Sequence, residues 1–206
     1  MRVAILIFDK LTALDAVGPY EVLSRLPGAE LRFVAKERGL KRTDTGALGV
    51  SADLALYELA DPDVLLIPGG KGNRPLLDDD EVLEWVRGAH ETSTWTTSVC
   101  TGALVLGAAG ILHGKRATTH WAFLDRLDGF GATPVSERVV EDGKVMTAAG
   151  VSAGIDMALT LAARISGEDV AKAIQLGIEY DPQPPFDAGS PAKASPEVLE
   201  LARRSS

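Results

Sequence analysis

The only cysteine of the chain, Cys100, lies where a strand-like segment gives way to a helix-like one. Residues 95–99 before it are mostly aromatic or β-branched, whereas residues 102–109 after it are mostly small or aliphatic and favour a buried helix. A thiol in the first turn of a helix lies near unpaired N–H groups and the positive end of the helix dipole, which favour the thiolate. The position predicts a nucleophile with a lowered pKa. The structural alternative is a small buried apolar side chain.

Glycines follow two of the predicted strands. Gly102 comes two residues after Cys100 and leaves room for a sharp turn from strand to helix, of the kind that presents nucleophiles in hydrolases. Gly69 and Gly70 follow the apolar run 64–68, where exposed backbone N–H groups could stabilise a developing negative charge. A tight turn is the alternative. The spacing does not fit a nucleotide-binding motif, because neither the dinucleotide fingerprint nor a P-loop Lys-Ser/Thr pair is present.

Asp15 precedes Gly18 and Pro19, which predict a helix start with Pro19 at the first helical position. An aspartate just ahead of a helix is commonly a cap or part of an Asx turn. If a nucleophile lies nearby, the same carboxyl group can act as its acid–base partner. The two alternatives stay open at this stage.

Other polar clusters have simple structural explanations. The acidic run 78–81 precedes a predicted helix, where its charges complement the dipole, so a metal site is the weaker alternative. His120 follows a short predicted strand and suits a capping or core-edge position, with an approach to the thiol as the alternative. The three histidines have no metal-ligand spacing.

Composition limits the classes of function. The chain has 206 residues, 46% hydrophobic content and a net charge of −8, which predict one filled core and argue against nucleic acid or an anionic membrane as partner. The apolar run 3–8 is too short to span a membrane and predicts a first strand. A single cysteine cannot form an internal disulfide, so a reducing cytoplasm fits best.

Strands alternate with helices along the chain, which predicts an α/β sandwich of three layers around a mostly parallel sheet. Asp142-Gly143 lies between two strand patterns and predicts a hairpin. We expect a single domain over residues 1–206, with an extended Pro-rich tail from about residue 181 that leads to a helix capped at Ser195-Pro196.

Several short motifs together resemble the ThiJ/PfpI superfamily, whose fold is flavodoxin-like and related to class I glutamine amidotransferases. The motifs are Leu14-Asp15, Gly18-Pro19, Pro68-Gly69-Gly70, Ser98-Val99-Cys100-Thr101-Gly102 and Ala117-Thr118-Thr119-His120-Trp121. The resemblance runs nearly end to end. Three segments, residues 97–121, residues 153–156 and the tail 179–191, are similar to superfamily members that hydrate isocyanides, and the tail discriminates best. The cysteine elbow is shared by members with unrelated roles, so it indicates the fold better than the substrate.

The resemblance implies roles for individual residues. Cys100 would be the nucleophile, Asp15 the acid–base group, and Thr101 would complete the site beside the thiol. Gly70 and Thr101 would supply backbone N–H donors. Proteolytic members have a histidine where this chain has Thr101, which argues against a Cys-His dyad. The implied substrate-binding residues are Gly70, Gly150 and Val151.

The implied reaction is hydration of an isocyanide to an N-substituted formamide through a cysteine thioimidate, with no metal or cofactor. Ala148 and Ala149 replace glycines of the hydrating members and could narrow the pocket. A glyoxalase-like cysteine enzyme and a ligand-sensing domain, as in regulators fused to a helix-turn-helix, are the alternatives. We expect a homodimer, because the family's members generally pair and the tail 182–191 has little reason to be ordered unless it packs on something.

Overall fold

A seven-stranded sheet forms the centre of the computed structural model, which describes residues 1–205. Its strands are β1 (Arg2–Leu6), β2 (Glu30–Ala35), β5 (Leu54–Ala55), β6 (Val64–Ile67), β7 (Trp95–Val99), β10 (Val139–Asp142) and β11 (Val145–Ala148). Their spatial order is β10-β11-β7-β6-β1-β2-β5. Every neighbouring pair is parallel except β10 and β11. The predicted parallel sheet is therefore confirmed.

Two small sheets lie outside the central one. They are the antiparallel pair β3 (Gly39–Arg42) and β4 (Gly49–Ala52), and the parallel pair β8 (Arg116–Ala117) and β9 (Thr133–Pro134). The basic and acidic residues of segment 36–44, which lacks aromatic side chains, predict a solvated hairpin rather than a binding patch, and the first pair is such a hairpin.

Helices cover the sheet in two groups. The first group is α1 (Ala13–Leu23), α4 (Ala153–Ser166) and α5 (Glu168–Gly177); the second is α2 (Asp80–Thr92), α3 (Gly102–Ala108) and the 3-10 helix Trp121–Phe130. Shorter 3-10 turns span Leu56–Glu58, Lys71–Asn73 and Pro75–Asp78, and α6 (Pro196–Ser205) ends the described chain. Among residues 1–205, no helix combines the length and apolar character that crossing a membrane requires.

The apolar runs of the sequence form the middle of the sheet. All four residues of β6 are buried, as are all residues of β1 except Arg2, because helices cover both faces of these strands. The hairpin at Asp142-Gly143 is also confirmed: Gly143 has a φ of +63°, a conformation that glycine adopts at little cost.

The start of α1 differs from the prediction. The helix begins at Ala13, so Pro19 lies inside it and Asp15 lies in its first turn rather than ahead of it. Gly18 and Pro19 are explained by packing against α4. A Cβ on Gly18 would lie 3.1 Å from Ile155 Cγ1, and a Cβ on Gly154 would lie 3.2 Å from Pro19 Cγ. The small residues permit this close helix contact, which offsets the backbone hydrogen bond that Pro19 cannot make.

Residues 181–195 contain no helix or strand, and most of them are exposed. Phe186 within this tail is 80% exposed. The helix α6 then begins at Pro196, and Ser195 Oγ accepts a hydrogen bond of 3.4 Å from the Val198 amide. The capped start of this helix is therefore confirmed.

Candidate active site

Cys100 lies at the turn between β7 and α3, at the carboxyl end of the sheet. Its φ is +56°, a left-handed conformation that is strained for a residue with a side chain and is found at functional turns. The chain then passes so close to β6 that a Cβ on Gly102 would lie 2.0 Å from the Ile67 carbonyl oxygen. The predicted nucleophile elbow is confirmed, and Gly102 is required for its close approach.

Backbone hydrogen bonds hold the elbow on the sheet. The Cys100 amide donates to the carbonyl oxygens of Ala148 (3.1 Å), the last residue of β11, and of Ala149 (3.0 Å), the residue after it. The hydroxyl of Thr119 donates to the Cys100 carbonyl at 2.7 Å. These bonds hold the cysteine backbone in its unusual conformation.

The carboxyl group of Asp15 is completely buried beside the elbow. Its Oδ2 accepts a hydrogen bond of 3.0 Å from the Gly69 amide. Its Oδ1 makes no hydrogen bond of standard geometry to the described residues. The position before α1 is occupied by Thr12, and no side-chain hydrogen bond caps this helix. The capping explanation for Asp15 is therefore wrong.

The surroundings of Asp15 and Cys100 shift both pKa values upward. Burial raises the pKa of Asp15 to about 7, against partial opposition from the Gly69 hydrogen bond and the neighbouring thiol. Burial and then the adjacent Asp15 charge raise the pKa of the Cys100 thiol. The predicted lowering of the thiol pKa is wrong, because desolvation and a like charge act against the thiolate. At neutral pH the pair retains at least one proton between its two acidic groups.

Thr101 connects the elbow to the glycine-rich loop after β6. The Gly70 amide donates to Thr101 Oγ1 at 3.0 Å, and the Asn73 side-chain amide donates to the Thr101 carbonyl at 2.7 Å. The Gly70 N–H therefore points to the threonine side chain in this structure. Gly69 is required here, because a Cβ would lie 2.6 Å from the Thr101 amide nitrogen. Asn73 is 4% exposed, and no motif in the sequence indicates its role.

A cavity of about 500 Å³ opens above Cys100. Four of the predicted site residues line this cavity: Gly70, Cys100, Thr101 and Val151. Its other lining residues are Thr12, Asp44, Lys71, Asn73, Arg74, Leu104, His120, Phe123 and Arg126. Asp15 lies beneath this surface. Gly150 lines a neighbouring cavity instead, together with His120 and residues 189–191 of the tail.

His120 separates the two cavities. Its Nδ1 accepts a hydrogen bond of 3.3 Å from the Ala122 amide and so caps the 3-10 helix, which confirms the capping explanation. Burial lowers the pKa of the imidazole, which favours its neutral form. A Cβ on Gly150 would lie 2.5 Å from His120 Cδ2. The glycine at position 150 therefore gives the histidine ring its space.

Comparisons with known proteins agree with this architecture. A relative from Pseudomonas putida named isonitrile hydratase is 45% identical over 204 residues, 99% of this chain and 89% of the relative. A crystal structure of a ThiJ/PfpI family protein from Pseudomonas syringae has a TM-score of 0.95 and 38% identity, and the match covers 99% of this chain and 85% of that one.

A third relative has a different role. The HTH-type transcriptional regulator CdhR of Pseudomonas aeruginosa is 30% identical over 168 residues, which are 80% of this chain and 49% of the regulator. The model of the DJ-1/PfpI family matches residues 1–164. The chain belongs to the DJ-1/PfpI family.

Proposed function

We propose that this chain hydrates isonitriles (isocyanides) to N-substituted formamides, with Cys100 as nucleophile and Asp15 as acid and base. The observation that carries the proposal is the buried Cys100–Asp15 pair beneath an open cavity, in a chain similar over nearly its full length to an isonitrile hydratase. The cavity admits a small molecule to the thiol.

The first step uses the single proton of the pair. The Cys100 thiol passes its proton to the Asp15 carboxylate, the thiolate sulfur adds to the terminal carbon of the isonitrile, and Asp15 delivers the proton to the same carbon. The product is a thioimidate, with a new C–S and a new C–H bond. The raised pKa of Asp15 supports its role as proton donor near neutral pH.

The second step adds water to the thioimidate. The Asp15 carboxylate takes a proton from the water as its oxygen bonds to the carbon, and this proton passes to the substrate nitrogen. The tetrahedral adduct collapses to the formamide as the C–S bond breaks, and the proton of its hydroxyl returns to the Cys100–Asp15 pair. Overall, one water is consumed and the enzyme is regenerated.

Thr101 completes the site by positioning rather than by proton transfer. Its hydroxyl accepts from Gly70, and its carbonyl accepts from Asn73, so the segment after Cys100 and the loop 69–73 hold each other. We assign Gly70 and Val151 to the substrate pocket that the cavity forms. Gly150 acts indirectly. Because it has no side chain, the His120 ring can pack beside it at the cavity wall.

A ligand-sensing role is the second candidate, because about half of a transcriptional regulator is similar to most of this chain. A glyoxalase-like activity is the other enzymatic alternative. A sensor would bind a small molecule in the cavity without turnover, whereas a glyoxalase-like enzyme would consume dicarbonyls.

The test is an assay of product formation on purified protein. Cyclohexyl isocyanide and phenyl isocyanide should each yield the matching formamide, measured by chromatography, while methylglyoxal should not be consumed. Methylglyoxal turnover without formamide production would favour the glyoxalase-like enzyme. Binding of an isocyanide without either product would favour the sensor.

We also propose that the protein is a cytoplasmic homodimer. The tail 181–195 is largely exposed in the single chain, with Phe186 prominent, and a partner subunit would cover such a surface. Light scattering at micromolar concentration should give about twice 21.7 kDa. A mass near 21.7 kDa would disprove the dimer.

A further inference from the structure

Three cationic side chains surround the mouth of the cavity above Cys100. Lys71 and Arg74 come from the segment after β6, and Arg126 comes from the 3-10 helix Trp121–Phe130 on a different part of the chain. All three are exposed. Within residues 1–205, none of them forms an ion pair with an acidic side chain. Although the chain has a net charge of −8, these three positive side chains lie together near Cys100, and we call them the cationic rim.

The acidic groups near the cavity only partly offset this rim. Asp44 lines the cavity, but its two oxygens accept hydrogen bonds from the Thr12 hydroxyl (3.1 Å) and the Thr45 amide (2.8 Å). Asp15 lies beneath the cavity surface. The mouth therefore attracts anions, and a cleft with charges of one sign also raises the local concentration of an oppositely charged substrate.

Part of the cavity wall is apolar. Leu104, Phe123 and Val151 line the cavity. A substrate that reaches from the thiol to the rim would therefore have a reactive carbon at one end, an apolar body, and an anionic group at the other end. Arginine guanidinium groups are planar and pair well with carboxylates, which makes a carboxylate a fitting anion for Arg74 and Arg126.

We propose that the preferred substrates are isonitriles that carry a carboxylate on an apolar body, with Lys71, Arg74 and Arg126 as the selecting residues. The proposal rests on the isonitrile hydration proposed above and names the substrate class of that same site. It assigns the three cations a role that the chemistry at Cys100 does not require.

The test compares two matched substrates, 4-isocyanobenzoate and its methyl ester. At low ionic strength the acid should have a kcat/KM about tenfold above that of the ester, because the cationic mouth concentrates the anion. The advantage should shrink in 0.5 M NaCl, where exposed charges are screened over about 4 Å. Formamide formation is measured in each case.

Variants identify the residues responsible. The double variant Arg74→Gln/Arg126→Gln should lose most of the preference, so that the ratio of kcat/KM for the acid to kcat/KM for the ester falls toward one. The control is Arg87→Gln, which makes this change at one exposed arginine on α2 outside the cavity and should leave the preference intact. Circular dichroism verifies that each variant is folded.

The outcomes separate this proposal from the proposed function. If both compounds are hydrated and the ester equals or exceeds the acid at low ionic strength, the cationic selection is wrong and isonitrile hydration stands. A preference that survives in the double variant also overturns the role of these arginines. If neither compound nor a simple alkyl isonitrile is hydrated, the proposed function fails and this inference fails with it.

Discussion

Two parts of the cavity are built in opposite ways: the floor, which we define as Asp15, Cys100 and Thr101, and the cationic rim of Lys71, Arg74 and Arg126. On the floor, Asp15, Cys100 and Thr101 are at most 7% exposed, and backbone and side-chain amides of the loop 69–73 hold two of them. On the rim, the cationic side chains are exposed and have no acidic partners among the described residues. The floor can therefore determine the reaction, while the rim is free to determine which substrates reach it.

The largest effect that this comparison predicts is at Cys100. Cys100→Ser should lower turnover by on the order of 10⁴ to 10⁶, because a serine hydroxyl is far harder to ionise than a thiol in this buried site. Formamide formation from a neutral and a carboxylated isonitrile measures the effect, and both should fall equally. Near wild-type turnover of either compound would rule out the covalent mechanism.

Asp15→Asn has the next largest expected effect. Asparagine keeps the shape and can still accept from the Gly69 amide, but it cannot donate and regain the proton, so turnover should fall by on the order of 10² to 10⁴. Single-turnover kinetics measure the loss. Asp169→Asn is the matched control, since Asp169 is an exposed aspartate in the first turn of α5, as Asp15 is in that of α1.

Two results would contradict the role of Asp15. Turnover in Asp15→Asn within a few-fold of the parent would make Asp15 a structural residue and leave the proton donor unidentified. An equal loss in Asp169→Asn would mean that the effect comes from removal of a helix-end charge rather than from proton transfer.

Asp15→Asn should also increase the free energy of unfolding above neutral pH. The pKa of Asp15 is about 7 in the folded protein and 3.8 for the ordinary group, so the folded state holds the proton more tightly. That advantage is fully present below pH 3.8 and is lost as the pH rises to about 7. The loss is on the order of 4 kcal/mol, from about 1.4 kcal/mol for each pKa unit.

Asp15→Asn removes this penalty because asparagine does not ionise. Urea unfolding at pH 5 and pH 8 measures the free energy of unfolding of each protein. The difference between Asp15→Asn and the parent should increase with pH, whereas the difference between Asp169→Asn and the parent should not. A gain that is the same at both pH values would mean that the pKa of Asp15 is not raised in the folded protein, because its carboxyl would then be ionised in both the folded and unfolded states throughout this range.

The elbow and the sheet were predictable from the sequence because their signals are local. The apolar runs, Cys100 and the nearby Gly102 together indicate a strand, a turn and a helix. The start of α1 was not predictable, because Gly18 and Pro19 serve the contact with α4 rather than a helix end. Nor was the raised pKa of Cys100, which depends on burial and on Asp15, a residue distant along the chain.

The cationic rim could not be predicted from the sequence either. Arg74 and Arg126 belong to segments that meet only in the folded protein, and each alone resembles an ordinary exposed arginine. Asn73 has no sequence signal for the same reason, because its partner is the Thr101 carbonyl. Local patterns predict the nucleophile, whereas the groups that select and orient a substrate come from tertiary contacts.

The smallest predicted effect is at Thr101 and tests the separation of floor from rim. Thr101→Val keeps the shape and removes the hydroxyl, which leaves the partly buried Gly70 amide without its acceptor. An unsatisfied donor costs about 1–3 kcal/mol, so looser packing of the loop 69–73 should lower kcat by about tenfold. Thr101→Ser keeps the acceptor, and its kcat should stay within a few-fold of that of the parent.

The ratio of activities on 4-isocyanobenzoate and its methyl ester should be unchanged in both Thr101 variants, because the cationic rim is untouched. A changed ratio in Thr101→Val would show that floor and rim are coupled, and equal activity of the two variants would show that the hydrogen bond to Gly70 does not position the site.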